Sequence, residues 1–129
     1  MSMFGFLKEW GSGAARINNS DRIIENLVGV NPKSYHPDIY KGILQEALNY
    51  ESSEISDEKL NAVEFSAIRM GLFALIAENA EDYEVVKIYA KALGRLSRTC
   101  SNEISSKVRV KILKFTDDLS FGDYFFDEN

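Results

Sequence analysis

The stretch from Ala62 to Ala77, AVEFSAIRMGLFALIA, constrains the fold of this chain more than any other feature. Its apolar residues cover nearly the whole circumference of a helix, and a helix that is apolar all round is normally buried in a core. It contains Glu64 and Arg69, and it is shorter than the roughly 18 residues that a membrane span requires. We therefore predict a buried central helix over about 57–78, with Ser56 as its N-cap, and no membrane span.

Amphipathic segments lie on both sides of this helix. Apolar residues recur at steps of three and four in the segments 40–48, 86–96 and 104–119, a spacing that places them on one face of a helix. A length of 129 residues corresponds to about one domain. We predict an all-α fold, a compact single-domain bundle of about five to six helices that spans residues 1–129.

The first 19 residues predict a short N-terminal helix or arm. Met3, Phe6, Leu7 and Trp10 share one helical face, and the glycines of the following GSG interrupt the pattern. Ser20 then resembles the N-cap of a second helix, because a serine hydroxyl can accept a hydrogen bond from a free N–H of the first helical turn.

Residues 107–114, KVRVKILK, fit two kinds of secondary structure. Cations and apolar residues alternate at period two, as they would in a half-buried strand. Since no second strand is evident elsewhere in the chain, we favour a helix for this segment.

The sequence contains no recognisable catalytic constellation. The only histidine, His36, lies in a proline-containing loop, and the only cysteine, Cys100, is far from it in the sequence. We predict that the protein is not an enzyme and that it binds no metal and no cofactor. A single cysteine cannot form a disulfide within the chain, and no secretory signal is evident. We therefore expect a cytoplasmic protein.

Charge is unevenly distributed along the chain, which holds 20 acidic and 15 basic residues in total. Residues 1–86 carry a net charge of −7, residues 87–114 carry +7, and residues 115–129 carry −5. Steps of three and four place most of the cations of the middle segment on helical faces. We call the following set the basic patch: Lys87, Lys91, Arg95, Arg98, Lys107, Lys111 and Lys114.

The basic patch has three interpretations. In the first, it is a solvated surface. In the second, the acidic aromatic tail at residues 120–129 docks on it. In the third, it is a binding site for an anionic partner. In the second interpretation, the four aromatic residues of the tail must supply most of the free energy of docking. Exposed ion pairs contribute only about 0–1 kcal/mol each. Those aromatic residues are Phe121, Tyr124, Phe125 and Phe126.

Without catalytic residues, the chain fits a protein-binding module best. The most concrete version is an immunity- or antitoxin-type inhibitor that covers a basic partner, such as a toxin or nuclease, with acidic surface. The predicted acidic contact residues are Glu51, Glu54, Asp57, Glu58, Asp123, Asp127 and Glu128.

Three other functions remain open at this point. A nucleic-acid-associated regulator would use the basic face of residues 87–114, and its affinity would fall steeply with salt. A small adaptor or chaperone subunit would share the features of an inhibitor. An enzyme would require a deep polar pocket around Glu64 and Arg69.

Overall fold

Five α-helices form the chain in the computed structural model, which describes the backbone of residues 3–34, 36–55 and 59–127 and side chains from residue 13 onward within these ranges. No strand occurs in those ranges, and the all-α prediction is confirmed. The helices are α1 (Met3–Val28), α2 (Pro37–Tyr50), α3 (Ala62–Asn79), α4 (Tyr83–Thr99) and α5 (Ser106–Asp118).

Helix α3 is the centre of the bundle and packs against each of the other four helices. Its residues from Val63 to Gly71 are all buried, as the apolar sequence predicts. The predicted start at residue 57 is wrong, because Asn61 and Glu64 form reciprocal side-chain caps that begin the helix at Ala62. No helix in the described ranges is long and apolar enough to cross a bilayer.

Contacts at the helix ends establish the directions of α3, α4 and α5. At one end, Asn61 donates a hydrogen bond to the carbonyl oxygen of Glu103 (2.7 Å), and Ser105 N donates to the Glu64 carboxylate (3.0 Å). At the other end, Ser120 N donates to the Glu78 carboxylate (2.6 Å). Helices α3 and α5 therefore run parallel, and α4 runs antiparallel to both.

Helix α5 covers the segment for which a strand was the alternative. It spans Ser106–Asp118 and buries Val108, Ile112 and Phe115, so the preferred helical prediction for residues 107–114 is confirmed. The ring of Phe115 packs directly on the α3 backbone at Gly71, where any side chain would overlap it.

Helix α1 is continuous, whereas the sequence predicted a short helix, a break and a second helix capped by Ser20. It passes through Gly11, Gly13 and Ser20 without interruption. Ser20 is fully buried, and its hydroxyl lies 2.8 Å from the hydroxyl of Ser66 on α3 instead of capping a helix. The predicted apolar face at Met3, Phe6, Leu7 and Trp10 lies outside the described side chains.

A buried ion pair joins α1 to α3. The Arg69 guanidinium is fully buried and lies 2.8 Å from the Asp21 carboxylate, which is itself 3% exposed as a residue. Arg69 also donates to the Ser20 hydroxyl (3.0 Å). An isolated charge in a core costs several kcal/mol, so the position of Asp21 opposite Arg69 is a requirement of the fold.

Helix α2 and the loop before it complete this polar cluster. Tyr40 donates from its hydroxyl to Asp21 (3.0 Å), and the Lys33 ammonium lies 3.8 Å from the same carboxylate. The Arg69 guanidinium lies 5.3 Å from the centre of the Tyr40 ring, which is within the range of a cation–π contact. Burial raises the pKa of the Tyr40 hydroxyl, and the Asp21 carboxylate raises it further.

Removal of one partner of the buried pair should destabilise the fold strongly. We expect Asp21→Ala to lower the free energy of unfolding by about 3–5 kcal/mol, because it leaves the Arg69 charge buried and unpaired. The double variant Asp21→Leu/Arg69→Met should recover most of this loss. Urea unfolding of these variants, with the exposed Asp38→Ala as control, measures the effect. Equal stability of Asp21→Ala and the wild type would contradict this account.

Candidate functional site

The C-terminal tail docks on α4 through main-chain contacts and an ion pair. Its short 3-10 helix, Gly122–Phe126, packs against α4. Arg98 donates hydrogen bonds to the carbonyl oxygens of Phe125 (2.8 Å) and Asp127 (3.1 Å). The Lys91 ammonium lies 3.2 Å from the Asp127 carboxylate. These contacts correspond to the second interpretation of the basic patch, in which the tail occupies it.

Aromatic rings of the tail strengthen the contact with α4. The ammonium groups of Lys87 and Lys91 lie 5.6 and 5.9 Å from the centre of the Tyr124 ring. The Phe121 ring lies 5.0 Å from the ring of Tyr83 at the start of α4. Phe125, at the far end of the tail, is buried. Of the four predicted aromatic contact residues, three therefore pack within the molecule.

The fourth aromatic residue, Phe126, remains on the surface with 63% of its area exposed. Its ring packs edge-on against Phe125, with 4.9 Å between the ring centres. Phe125 in turn rests on the α4 backbone at Gly94, where a Cβ would overlap its carbonyl oxygen. The tail thus approaches α4 closely only because position 94 has no side chain.

The basic patch is divided between two sides of the bundle. Lys87, Lys91 and Arg98 on α4 contact the tail. The three lysines of the patch on α5, Lys107, Lys111 and Lys114, face a different groove, because α4 and α5 each pack mainly on α3 and have little direct contact with each other. Although the two helices are antiparallel, in the described part of the chain they do not pack against each other closely enough to merge the two sets of cations. Arg95 is exposed on α4.

These three α5 lysines line a groove of about 590 Å³ between α5 and the end of α2. Lys107 donates to the carbonyl oxygen of Glu54 (3.2 Å), and the Lys111 ammonium lies 5.7 Å from the centre of the Tyr50 ring. Burial raises the pKa of the Tyr50 hydroxyl, with further contributions from Glu54 and Glu64. Lys114 also lines this groove, as do Glu46 and Glu54. Its wall therefore carries both signs of charge.

The acidic residues predicted to contact a partner have different surroundings in the structure. Glu51 forms an ion pair with Arg16 and accepts a hydrogen bond from Leu60 N (2.8 Å), so it connects α1 to the segment that precedes α3. Asp127 pairs with Lys91, as described above. Glu54 and Asp123 are exposed. Asp57, Glu58 and Glu128 lie outside the described residues.

Sequence reasoning did not predict the acidic end of the bundle, which we define by six exposed carboxylates, of which it named only Asp123 as a contact residue. The α3–α4 turn and the first turn of α4 contribute three, the last turn of α5 contributes two, and the tail contributes one: Glu81, Asp82, Glu84, Asp117, Asp118 and Asp123. The Glu78–Ser120 hydrogen bond and the Phe121–Tyr83 ring contact bring the two segments together. Ile76 and Tyr83, which are 39% and 42% exposed, add apolar surface at this end.

The isolated residues that suggested chemistry have structural roles. His36 is exposed and caps α2 by accepting a hydrogen bond from Asp38 N (3.3 Å). Cys100 is half-buried at the end of α4. Glu64 and Arg69 are both buried, and their partners are Asn61 and Ser105 for Glu64 and Asp21 for Arg69. No group of three potential metal ligands occurs among the described residues.

Comparison with known proteins gives no further information. No protein-family model, curated protein or solved structure matches the chain. Any function must therefore be argued from the charges, burial and contacts of its own surface.

A methyl group at position 94 should displace the tail from α4. We expect Gly94→Ala to lower the free energy of unfolding by about 1–3 kcal/mol and to speed amide hydrogen exchange in residues 122–127, because the new Cβ overlaps Phe125. Gly42→Ala is the matched control, since a Cβ there meets nothing within 4 Å and should stabilise α2 slightly. Tail amides that stay protected in Gly94→Ala would contradict the docking described here.

Proposed function

We propose that this chain is a non-catalytic protein-binding module, in its most concrete form an immunity- or antitoxin-type inhibitor of a basic partner protein. The acidic end of the bundle carries this proposal. Its six exposed carboxylates lie at the same end of the bundle as two partly exposed apolar side chains, Ile76 and Tyr83. Tyrosine is among the residue types that contribute most to protein–protein affinity.

Charge complementarity would direct the partner to this end. The carboxyl termini of α3 and α5 both lie here and add partial negative charge, although the amino terminus of α4 offsets part of it. A partner with a cationic active surface would be attracted at long range and would associate faster at low salt. Coverage of that surface would be sufficient for inhibition, and the inhibitor would need no catalytic residue.

The division of the basic patch favours protein binding over nucleic-acid binding. Three of its cations hold the tail, and the α5 cations share their groove with Glu46 and Glu54. A nucleic-acid-associated regulator would need a continuous cationic track along the phosphate backbone. An adaptor or chaperone subunit would use the same acidic end. A cytoplasmic location belongs to this proposal and is supported by the lone cysteine.

Charge reversal at the acidic end should weaken binding of the partner. We expect the tagged wild-type chain to retain one dominant basic protein from a cell extract, and Glu81→Lys/Asp118→Lys to weaken that complex by about tenfold, or about 1.4 kcal/mol. Mass spectrometry identifies the captured protein, and titration with the purified partner gives the affinity.

The matched control is Glu25→Lys/Asp38→Lys, which changes the net charge equally at exposed carboxylates outside the acidic end. It should keep nearly full affinity. Equal loss of affinity in both double variants would show that only total charge matters and would reject the acidic end as the site. Recovery of nucleic acid that modest salt releases would favour the regulator instead.

A further inference from the structure

An apolar cleft lies where the last turn of α4 meets α5 and the tail. Its volume is about 310 Å³, at the small end of the range of about 300–1,000 Å³ that is usual for ligand sites. The apolar lining comes from Ile104, Ile112, Leu113, Phe125 and Phe126. A cleft of this size accommodates one or two bulky side chains of a peptide.

Within residues 13–127, as far as the structure describes them, the ionisable side chains that line the cleft are two arginines, Arg98 and Arg109. Arg109 donates to the carbonyl oxygens of Ser101 (3.0 Å) and Ile104 (3.4 Å), and Arg98 donates to carbonyl oxygens of the tail. Because carbonyl groups carry no net charge, these bonds fix the guanidinium groups without neutralising them. Among the described residues, no carboxylate lines the cleft.

Part of the apolar wall of the cleft is exposed. Leu113 and Phe126 are 46% and 63% exposed. Large apolar side chains exposed side by side on a small domain often mark an interaction site. The combination of an apolar floor, exposed apolar edges and cationic residues specifies a ligand that is both apolar and acidic.

The tail of this chain shows which kind of peptide segment binds to this side of α4. Its segment Phe121–Asp127 is aromatic and acidic, and it binds through Phe125 in the core, through carbonyl groups on Arg98 and through a carboxylate on Lys91. Phe125 and Phe126 form one side of the cleft. The cleft offers the same kinds of contact that the tail uses, an apolar surface next to guanidinium groups.

We propose that this cleft binds an acidic segment of a partner protein, which inserts a bulky apolar side chain and places carboxylates beside Arg98 and Arg109. This inference does not rest on the proposed inhibitor function. Arg98 and Arg109 lie at the end of α4 and the start of α5, whereas the acidic end lies at the start of α4 and the end of α5. The two surfaces adjoin at Leu113 and Phe126, which also line another pocket with Asp117 and Asp123. The two surfaces would bind partners of opposite charge.

Fluorescence anisotropy with synthetic peptides tests the cleft. The probe is a fluorescein-labelled peptide with Leu-Phe at its centre and three glutamates on each side, and a second peptide replaces the glutamates with lysines. We expect saturable binding of the acidic peptide to the full chain and at least about tenfold weaker binding of the lysine peptide. No saturable binding of the acidic peptide, or equal binding of both peptides, would overturn the proposal.

Two variants locate the binding on the protein. Leu113→Asp puts a carboxylate into the wall of the cleft and should weaken the acidic peptide by about tenfold or more. Ile88→Asp is the matched control, because Ile88 is also 46% exposed but lies outside the cleft, and it should bind as the wild type does. Thermal unfolding of both variants verifies that they fold.

Other outcomes separate this proposal from its rivals. Unchanged peptide binding by Leu113→Asp would reject the cleft as the site. A dimer in sedimentation velocity that Leu113→Asp dissociates would mean that a second copy of the chain occupies the cleft, which also overturns the proposal. The variant Glu81→Lys/Asp118→Lys should bind the acidic peptide normally, so failure of the inhibitor function and failure of the cleft are distinguishable.

Discussion

The buried charge of Arg69 is the constraint on which the arrangement of the first three helices depends. A guanidinium group in a core must be matched by a carboxylate and by hydrogen-bond acceptors, since an unpaired charge there costs several kcal/mol. Asp21 and Ser20 supply them from α1, and Tyr40 connects α2 to the same carboxylate. Apolar packing against α3 alone would tolerate small shifts of α1 and α2 along its surface. The polar cluster restricts such shifts much more strongly, because each of its hydrogen bonds and ion pairs requires one particular partner.

Elsewhere in the molecule, tertiary contacts determine which charged residues share a surface, and position in the sequence does not. The strongly basic segment 87–114 does not form one basic surface, because the acidic tail covers part of α4 and the α5 cations share a groove with carboxylates. Conversely, two acidic segments that are far apart in the sequence meet at one end of the bundle. The charged surface that is accessible to a partner therefore differs from the surface that the net charges of the sequence segments suggest.

Periodicity was sufficient to predict the helical class and the buried central helix, since α3 is apolar on every side and α4 and α5 have regular apolar stripes. Helix boundaries were less predictable, because tertiary partners decide them. Ser20 has the chemistry of an N-cap, yet Ser66 and Arg69 give its hydroxyl better partners inside the core. The tail was recognised as a candidate for docking, but only the fold shows which cations it meets. The acidic end escaped prediction because each half resembles the ordinary polar end of a helix.

Glycines at three contact points have a consequence for the ancestry of this protein. Gly71, Gly94 and Gly122 each lie where a side chain would overlap a neighbouring ring or carbonyl group. Substitution at position 94 would demand a compensating change in the segment that rests on it, so the two should evolve together. A distant homologue is therefore better recognised by glycines that occupy these three structural positions than by overall sequence identity, since most exposed positions are free to drift.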